Sequence, residues 1–194
     1  MTETFYAYHV VTERPMHLGQ HILFDDSHHS GVYERVMAKK AVVEDIYRNP
    51  QKYADTELEY PVVVALRELA LEEVRQQKYP DYPSRMGCLY VSETLQESSN
   101  WADYFIGLGR PTFQIVKVKV TGNRFVGDAT KCFDAVICKE ENLLLAEKYW
   151  ENGPNPPEEP PIHEFLVSGD IEIVEIIKEF QVEGKEECLL KRKD

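Results

Sequence analysis

Three side chains that can do chemistry sit inside apolar runs, where each needs a reason to be. His9 lies within FYAYHVVT (residues 5–12), Tyr90 within CLYV (88–91), and Glu164 stands between the segment ending in Ile162 and Phe165. A histidine in an apolar strand is either a hydrogen-bonded core residue or a ring that offers a nitrogen to a ligand. A tyrosine there packs or presents its aromatic face. A carboxylate in such a place either meets water from a half-exposed strand or is poised in a cleft. The three are far apart along the chain, so only the fold can bring them to one site.

Other constellations carry less. Asp25, Asp26, His28 and His29 are ligand-capable, but adjacent side chains diverge on regular structure, so a polar loop is expected there and no metal site. His163-Glu164 begins like a zinc-protease motif, yet the second histidine position is Val167 and the local composition is that of a strand. The sequence has no GxGxxG after its first strand, no phosphate-cradling glycine loop ending in Gly-Lys-Ser/Thr and no GxSxG elbow. These absences argue against a doubly wound nucleotide fold, a P-loop enzyme and a serine hydrolase of that type. Cys88, Cys132, Cys138 and Cys188 are widely spread without a CxxC pair, which predicts free thiols in a reducing cytoplasm.

The chain has 194 residues, 43 % hydrophobic and 29 % charged, enough for one domain with a sizeable core. Its net charge of -12, from 34 acidic and 22 basic residues, repels phosphate backbones and anionic lipid at long range. The one dense basic run is Lys191-Arg192-Lys193. General nucleic-acid binding and membrane association are therefore not expected, although a nucleotide needs only one or two well-placed arginines. The N-terminal residues lack a basic region with an apolar stretch behind it, so no secretory signal is read there. The apolar burst Pro61–Leu66 ends at Arg67, far too short to span a bilayer. A cytoplasmic protein is expected.

The elements that must position His9, Tyr90 and Glu164 follow from periodicity. A strand is predicted over residues 5–12, then a short element and a polar loop over 16–30. A helical stripe of Val32, Val36, Val43, Ile46 and Tyr47 runs from Gly31 to Asn49-Pro50. A second helix starts at Tyr60-Pro61, with Val62, Leu66, Leu69, Ala70 and Val74 as its stripe and Glu68, Glu72, Glu73 and Arg75 on its wet side. Residues 88–91 read as a central strand and Ser92-Glu93-Thr94 as the lead into a short helix containing Trp101 and Tyr104. Strands follow at 113–121 and 124–126, with a turn signal at Thr121-Gly122-Asn123 between them. A helix over 139–151 and the proline-dense surface loop 153–161 lead to strands at 162–167 and 171–180, joined by a hairpin at Ser168-Gly169-Asp170. Cys188-Leu189-Leu190 is a candidate last edge strand. Helices early and consecutive strands late make this a single α+β domain over residues 1–194.

Taken in order, three segments resemble the ADP-ribosyltransferase superfamily, on the diphtheria-toxin and poly(ADP-ribose) polymerase side with its His-Tyr-Glu signature. They are Tyr8-His9-Val10-Val11-Thr12, then Gly87-Cys88-Leu89-Tyr90-Val91-Ser92-Glu93 running into Ser98-Ser99-Asn100-Trp101-Ala102-Asp103-Tyr104, and finally Pro161-Ile162-His163-Glu164-Phe165-Leu166-Val167-Ser168-Gly169-Asp170-Ile171. The resemblance implies split, strongly bent antiparallel sheets that grip NAD, which is consumed as a substrate. Under it, Glu164, His9 and Tyr90 form the catalytic set. His9 bonds the nicotinamide ribose, the Val10 backbone meets the carboxamide, Tyr90 stacks on the nicotinamide ring, and Trp101 or Tyr104 closes the other side. Glu164 holds the ribose 2′-hydroxyl and stabilises the cationic sugar as nicotinamide leaves. Thr12 and Ser92 fall among the cofactor-binding positions.

Arg14 and Arg85 are candidates for the pyrophosphate, because a guanidinium fork suits phosphate oxygens. Two departures stand out. Val10 occupies a position where many polymerase-type relatives carry glycine, which narrows the nicotinamide pocket. Ile162, two residues before Glu164, replaces the first glutamate of the pair used by arginine-specific members. The acceptor, protein or nucleotide, is thus undefined. Three alternatives stand beside this reading. One is a non-enzymatic ligand- or partner-binding protein of the same fold; another is an RNA 2′-phosphotransferase-like activity. The third is an unrelated α+β protein, whose partner-binding places would be the proline-rich loop and Tyr79–Pro83.

Overall fold

A computed structural model describes residues 3–25 and 28–181. Asp26, the candidate edge strand at 188–190 and the basic run at 191–193 lie outside the described residues.

The architecture is a mixed α+β fold built on an open antiparallel sheet with interspersed helices. Strand β1 (Glu3–Val11) is followed by the short β2 (His21–Ile22), helices α1 (Gly31–Met37), α2 (Lys40–Arg48) and α3 (Tyr60–Lys78), and strand β3 (Leu89–Val91). Helix α4 (Leu95–Gly107), strand β4 (Gln114–Asp128), helix α5 (Lys139–Glu151) and strand β5 (His163–Glu179) complete the order. In the sheet the order is β1-β4-β5-β2, and β3 pairs with β5. β3 and β2 therefore share β5 as partner, β3 against residues 165–167 and β2 against residues 171–172.

The two turns predicted at Thr121-Gly122-Asn123 and Ser168-Gly169-Asp170 are not turns. β4 and β5 run without interruption through both, antiparallel from Gln114↔Glu179 to Asp128↔His163, and Gly122 faces Gly169 in the register. The physical reason is close backbone approach. Gly169 has φ +108, a Cβ on it would lie 2.5 Å from the Thr121 carbonyl oxygen, and a Cβ on Gly122 would collide with the Ser168 carbonyl oxygen. Glycine next to Asn or Asp signals a turn, but the same pair of glycines serves a sharp crossing inside two long strands. The sheet curls enough that β1, beyond β4, meets the residue after β3, beyond β5. Tyr8 N donates to Ser92 O at 2.9 Å and Ser92 N to Tyr8 O at 2.7 Å.

The stripe expected as one helix from Gly31 is divided into α1 and α2, since it has a gap between Val36 and Val43. The break lets both residues reach a cluster with Val62, Ala65 and Leu66 of α3. α3 is covered on a second side as well, where Ala70, Leu71 and Val74 pack with Tyr149, Trp150, Phe125 and Leu166. Trp150 Nε1 donates to the Leu71 carbonyl at 2.8 Å and ties α5 to α3. This double covering corrects the wet side assigned to α3: Glu68 is only 3 % exposed, and Glu72 and Arg75 are largely covered and paired with each other at 2.7 Å. The proline-dense loop is held to the sheet by the buried Asp128, which accepts from Ile162 N at 3.0 Å and Asn155 Nδ2 at 2.5 Å.

Candidate functional site

The Tyr8–Ser92 bridge sets the geometry of the site. It brings β1 beside β3, and His9 Nδ1 lies 2.7 Å from the Tyr90 carbonyl oxygen. A carbonyl only accepts, so Nδ1 carries the proton and Nε2 is left as an acceptor. Burial, with the Arg110 charge adding to it and the Tyr90 bond opposing it, lowers the His9 pKa to about 4, so the ring is neutral near pH 7. Glu164 faces Gly127 in the β4–β5 ladder and directly precedes Phe165, the partner of Val91 in β3. His9, Tyr90 and Glu164 thus come from three separate strands and line one cleft of about 740 Å³.

Of the remaining expected site residues, Val10, Thr12, Arg14, Ser92 and Trp101 also line the cleft. Tyr104 does not: it is 56 % exposed, three residues along α4 from Trp101. Phe105, one helical turn after Trp101, takes the lining position instead. α4 begins at a reciprocal Thr94–Glu97 capping box, and Ala102, buried against Val10 and Ile115, packs the helix on β1 and β4.

Arg85 is not at the cleft wall. Its side chain is 7 % exposed and lies behind Glu164, between two aromatic rings, 5.0 Å from the Tyr149 ring centroid and 5.5 Å from that of Tyr90. Its Nε donates to Glu68 Oε2 at 2.9 Å, and its Nη1 donates to the Tyr149 hydroxyl at 2.7 Å and to Glu164 Oε1 at 2.5 Å. Tyr149 in turn donates to the same Glu164 oxygen at 2.6 Å. Burial works against the Arg85 charge, but Tyr90 and the carboxylates of Glu68 and Glu164 hold its pKa well above the ordinary value. A guanidinium buried and bonded in this way stands off the cleft wall, away from the pyrophosphate position expected for it.

Among the described residues, Glu164 bonds through Oε1 alone. Among the described residues the only buried side-chain polar atom without a partner is Ser98 Oγ, so the second oxygen, Oε2, reaches solvent. Its side chain is 12 % exposed and lies on the cleft wall.

Residues that sequence reasoning missed complete the cleft. Arg110 Nη2 donates to Thr12 Oγ1 at 2.9 Å, and its guanidinium lies 4.8 Å from the Phe105 ring centroid. Arg35 joins Arg14 and Arg110 on the cleft wall and stands 3.9 Å from Glu13. Arg35 lies in α1 and Arg110 in the loop after α4, and no local pattern marks either. Glu68 was equally hidden in an ordinary polar helix position, and nothing in the sequence marks Tyr149 within its helix. The His-Asp loop forms its own contacts: His28 Nδ1 is 2.8 Å from Asp25 Oδ1, and His29 stacks on Tyr33 at 3.8 Å.

The strands and helices that line this cleft fall within one family match. The chain belongs to the DUF2441 family. The matching model, described as a protein of unknown function, covers residues 7–179 and so contains every residue of the cleft wall. No curated protein matches the chain. Among the described residues of this DUF2441 chain, no helix is long and apolar enough to cross a membrane.

Proposed function

We propose that this DUF2441 chain binds NAD in the cleft between β1, β3, β5 and α4 and cleaves its nicotinamide–ribose bond, passing ADP-ribose to an acceptor or to water. The observation that carries the reading is the convergence of His9, Tyr90 and Glu164 on one solvent-reachable cleft, of a volume usual for small-molecule pockets. The bent antiparallel sheet, with β4 and β5 crossing at Gly122 and Gly169, is compatible with the split-sheet fold that the resemblance implies.

The chemistry suits the groups present. As the C1′–N bond breaks, nicotinamide leaves with the bonding electrons and positive charge spreads over the ribose. A fixed carboxylate oxygen stabilises that charge more than it stabilises the neutral sugar. Glu164 Oε2 is free for this task and for the 2′-hydroxyl, and neutral His9 offers Nε2 as an acceptor to a ribose hydroxyl. Tyr90 and Trp101 supply aromatic faces for the nicotinamide, and Arg14, Arg35 and Arg110 supply positive charge for the pyrophosphate.

The test is release of nicotinamide from NAD by the purified protein, with and without an extract of protein and nucleic acid, beside a Glu164→Gln control. Release that the control abolishes supports the proposal, and dependence on one extract fraction identifies the acceptor class. No release together with no NAD binding sinks it. One observation favours a second reading: Oε1 of Glu164 is held by Arg85 and Tyr149, which gives this carboxylate a structural task as well. A non-enzymatic ligand-binding protein would bind NAD or another anion without cleaving it in any fraction.

A further inference from the structure

A buried chain of charges stands behind Glu164. Arg67 Nε donates to Glu68 Oε1 at 3.1 Å, Glu68 Oε2 accepts from Arg85 Nε at 2.9 Å, and Arg85 Nη1 reaches Glu164 Oε1 at 2.5 Å. Glu68 and Arg85 are 3 % and 7 % exposed at their side chains. Burying such a pair gains little stability over well-packed apolar side chains, because desolvation offsets the attraction. Packing alone therefore gives no reason for two acids to share one arginine at this place.

The geometry points to a positioning role for the Arg85–Glu68 pair, an inference that rests on the catalytic reading of Glu164 given above. Arg85, together with the Tyr149 hydroxyl, fixes Oε1 and so sets the rotamer that leaves Oε2 open toward solvent. Glu68 has the complementary task. A guanidinium paired with Glu164 alone would cancel the carboxylate field at the cleft, where that field is needed. By taking the Nε side of the fork, Glu68 shares the guanidinium charge, and Glu164 is anchored without being quenched. The fork is essential to this, since one cation must span two carboxylates at a fixed angle, which an ammonium cannot do. Arg85 and Glu68 touch no part of the cleft and act through Glu164 only.

The deciding experiment removes the pair as a unit. An Arg85→Met/Glu68→Leu double variant removes the two most deeply buried charges together and leaves Arg67 on the Phe133 carbonyl and Glu164 on the Tyr149 hydroxyl, so its fold is expected to survive, checked by circular dichroism and thermal melting. NAD cleavage by this variant is expected to lose about 10²-fold in kcat, with KM within about threefold of wild type, because misplacement of a reacting group costs on that order while the cleft wall is intact. Arg85→Lys, which keeps a buried cation, is expected to lose kcat by a comparable factor. If either folded variant cleaves NAD at the wild-type kcat, the positioning role is overturned.

A crystal structure of the double variant separates this failure from failure of the NAD reading. If wild type releases no nicotinamide, the catalytic reading falls, and the position of Glu164 still decides the anchoring. A carboxylate found in its wild-type place without Arg85 and Glu68 overturns the inference. One rotated away, with Oε2 no longer at the cleft, upholds the anchoring.

Discussion

Neutral His9 makes the protein's stability depend on pH in a defined window. The ring has an ordinary pKa of 6.5 and a folded-state value lowered to about 4, chiefly by burial. Between these values the unfolded chain binds a proton that the folded protein refuses, so folding stability rises with pH. The contribution is complete above 6.5 and is lost as pH falls toward 4. At about 1.4 kcal/mol per pH unit, the full loss is about 3 kcal/mol, a large share of a typical domain's stability. Many carboxylates also titrate on the acid side, so the measurement must be a difference. His9→Asn places an amide near the Nδ1 position, keeps a donor for the Tyr90 carbonyl and removes the titration. Urea melts of both proteins between about pH 4 and pH 7.5 give two stability curves to subtract. Wild type minus variant should climb by about 3 kcal/mol from the acid end and level off above the ordinary histidine pKa. A flat difference would refute the account, because it would mean that burial does not hold the ring neutral. A difference that falls with rising pH would mean that His9 is charged in the folded state and that Nε2 is a donor.

Two structural predictions follow from the long strands. Gly169→Ala puts a side chain at φ +108 and against the Thr121 carbonyl, so it should destabilise by more than about 4 kcal/mol, seen as a large fall in Tm or loss of soluble protein. A melt within a degree or two of wild type would show that β4 and β5 can separate at the crossing. Asp128→Ala removes the acceptor shared by Thr130, Asn155 and Ile162, and it should cost about 2 kcal/mol and speed proteolytic cutting within residues 153–161. An unchanged cleavage rate would show that the loop is held by other contacts.

Much of the element pattern was legible locally. The apolar, β-branched and aromatic runs around His9 and Tyr90, the Pro61 start of α3 and the span of α5 all depend on neighbours within one or two turns, and they read correctly. The errors lie where local signals have two structural solutions. Gly122-Asn123 and Gly169-Asp170 suit a turn, but facing each other across a ladder they make a close crossing between continuous strands. Glu68 has the residue type of a wet helix face, and only the packing of α3 on two sides reveals that the position is buried. Trp101 and Tyr104 were equivalent on sequence, and helix orientation selects Trp101 and Phe105 for the cleft.

By itself the sequence determined the α+β class, because hydrophobic period is a short-range property of the chain. It also singled out His9, Tyr90 and Glu164, since a polar group in an apolar run is visible without a structure. The tertiary structure alone decided that these three share a cleft, through the sheet curl that joins Tyr8 to Ser92. It also decided that Arg85 bonds Glu164 from behind and that Arg35 and Arg110 stand on the wall. Those facts depend on which distant side chains share a low-dielectric interior, and the cost of burying a charge is set by its partners in space, not by its neighbours in sequence.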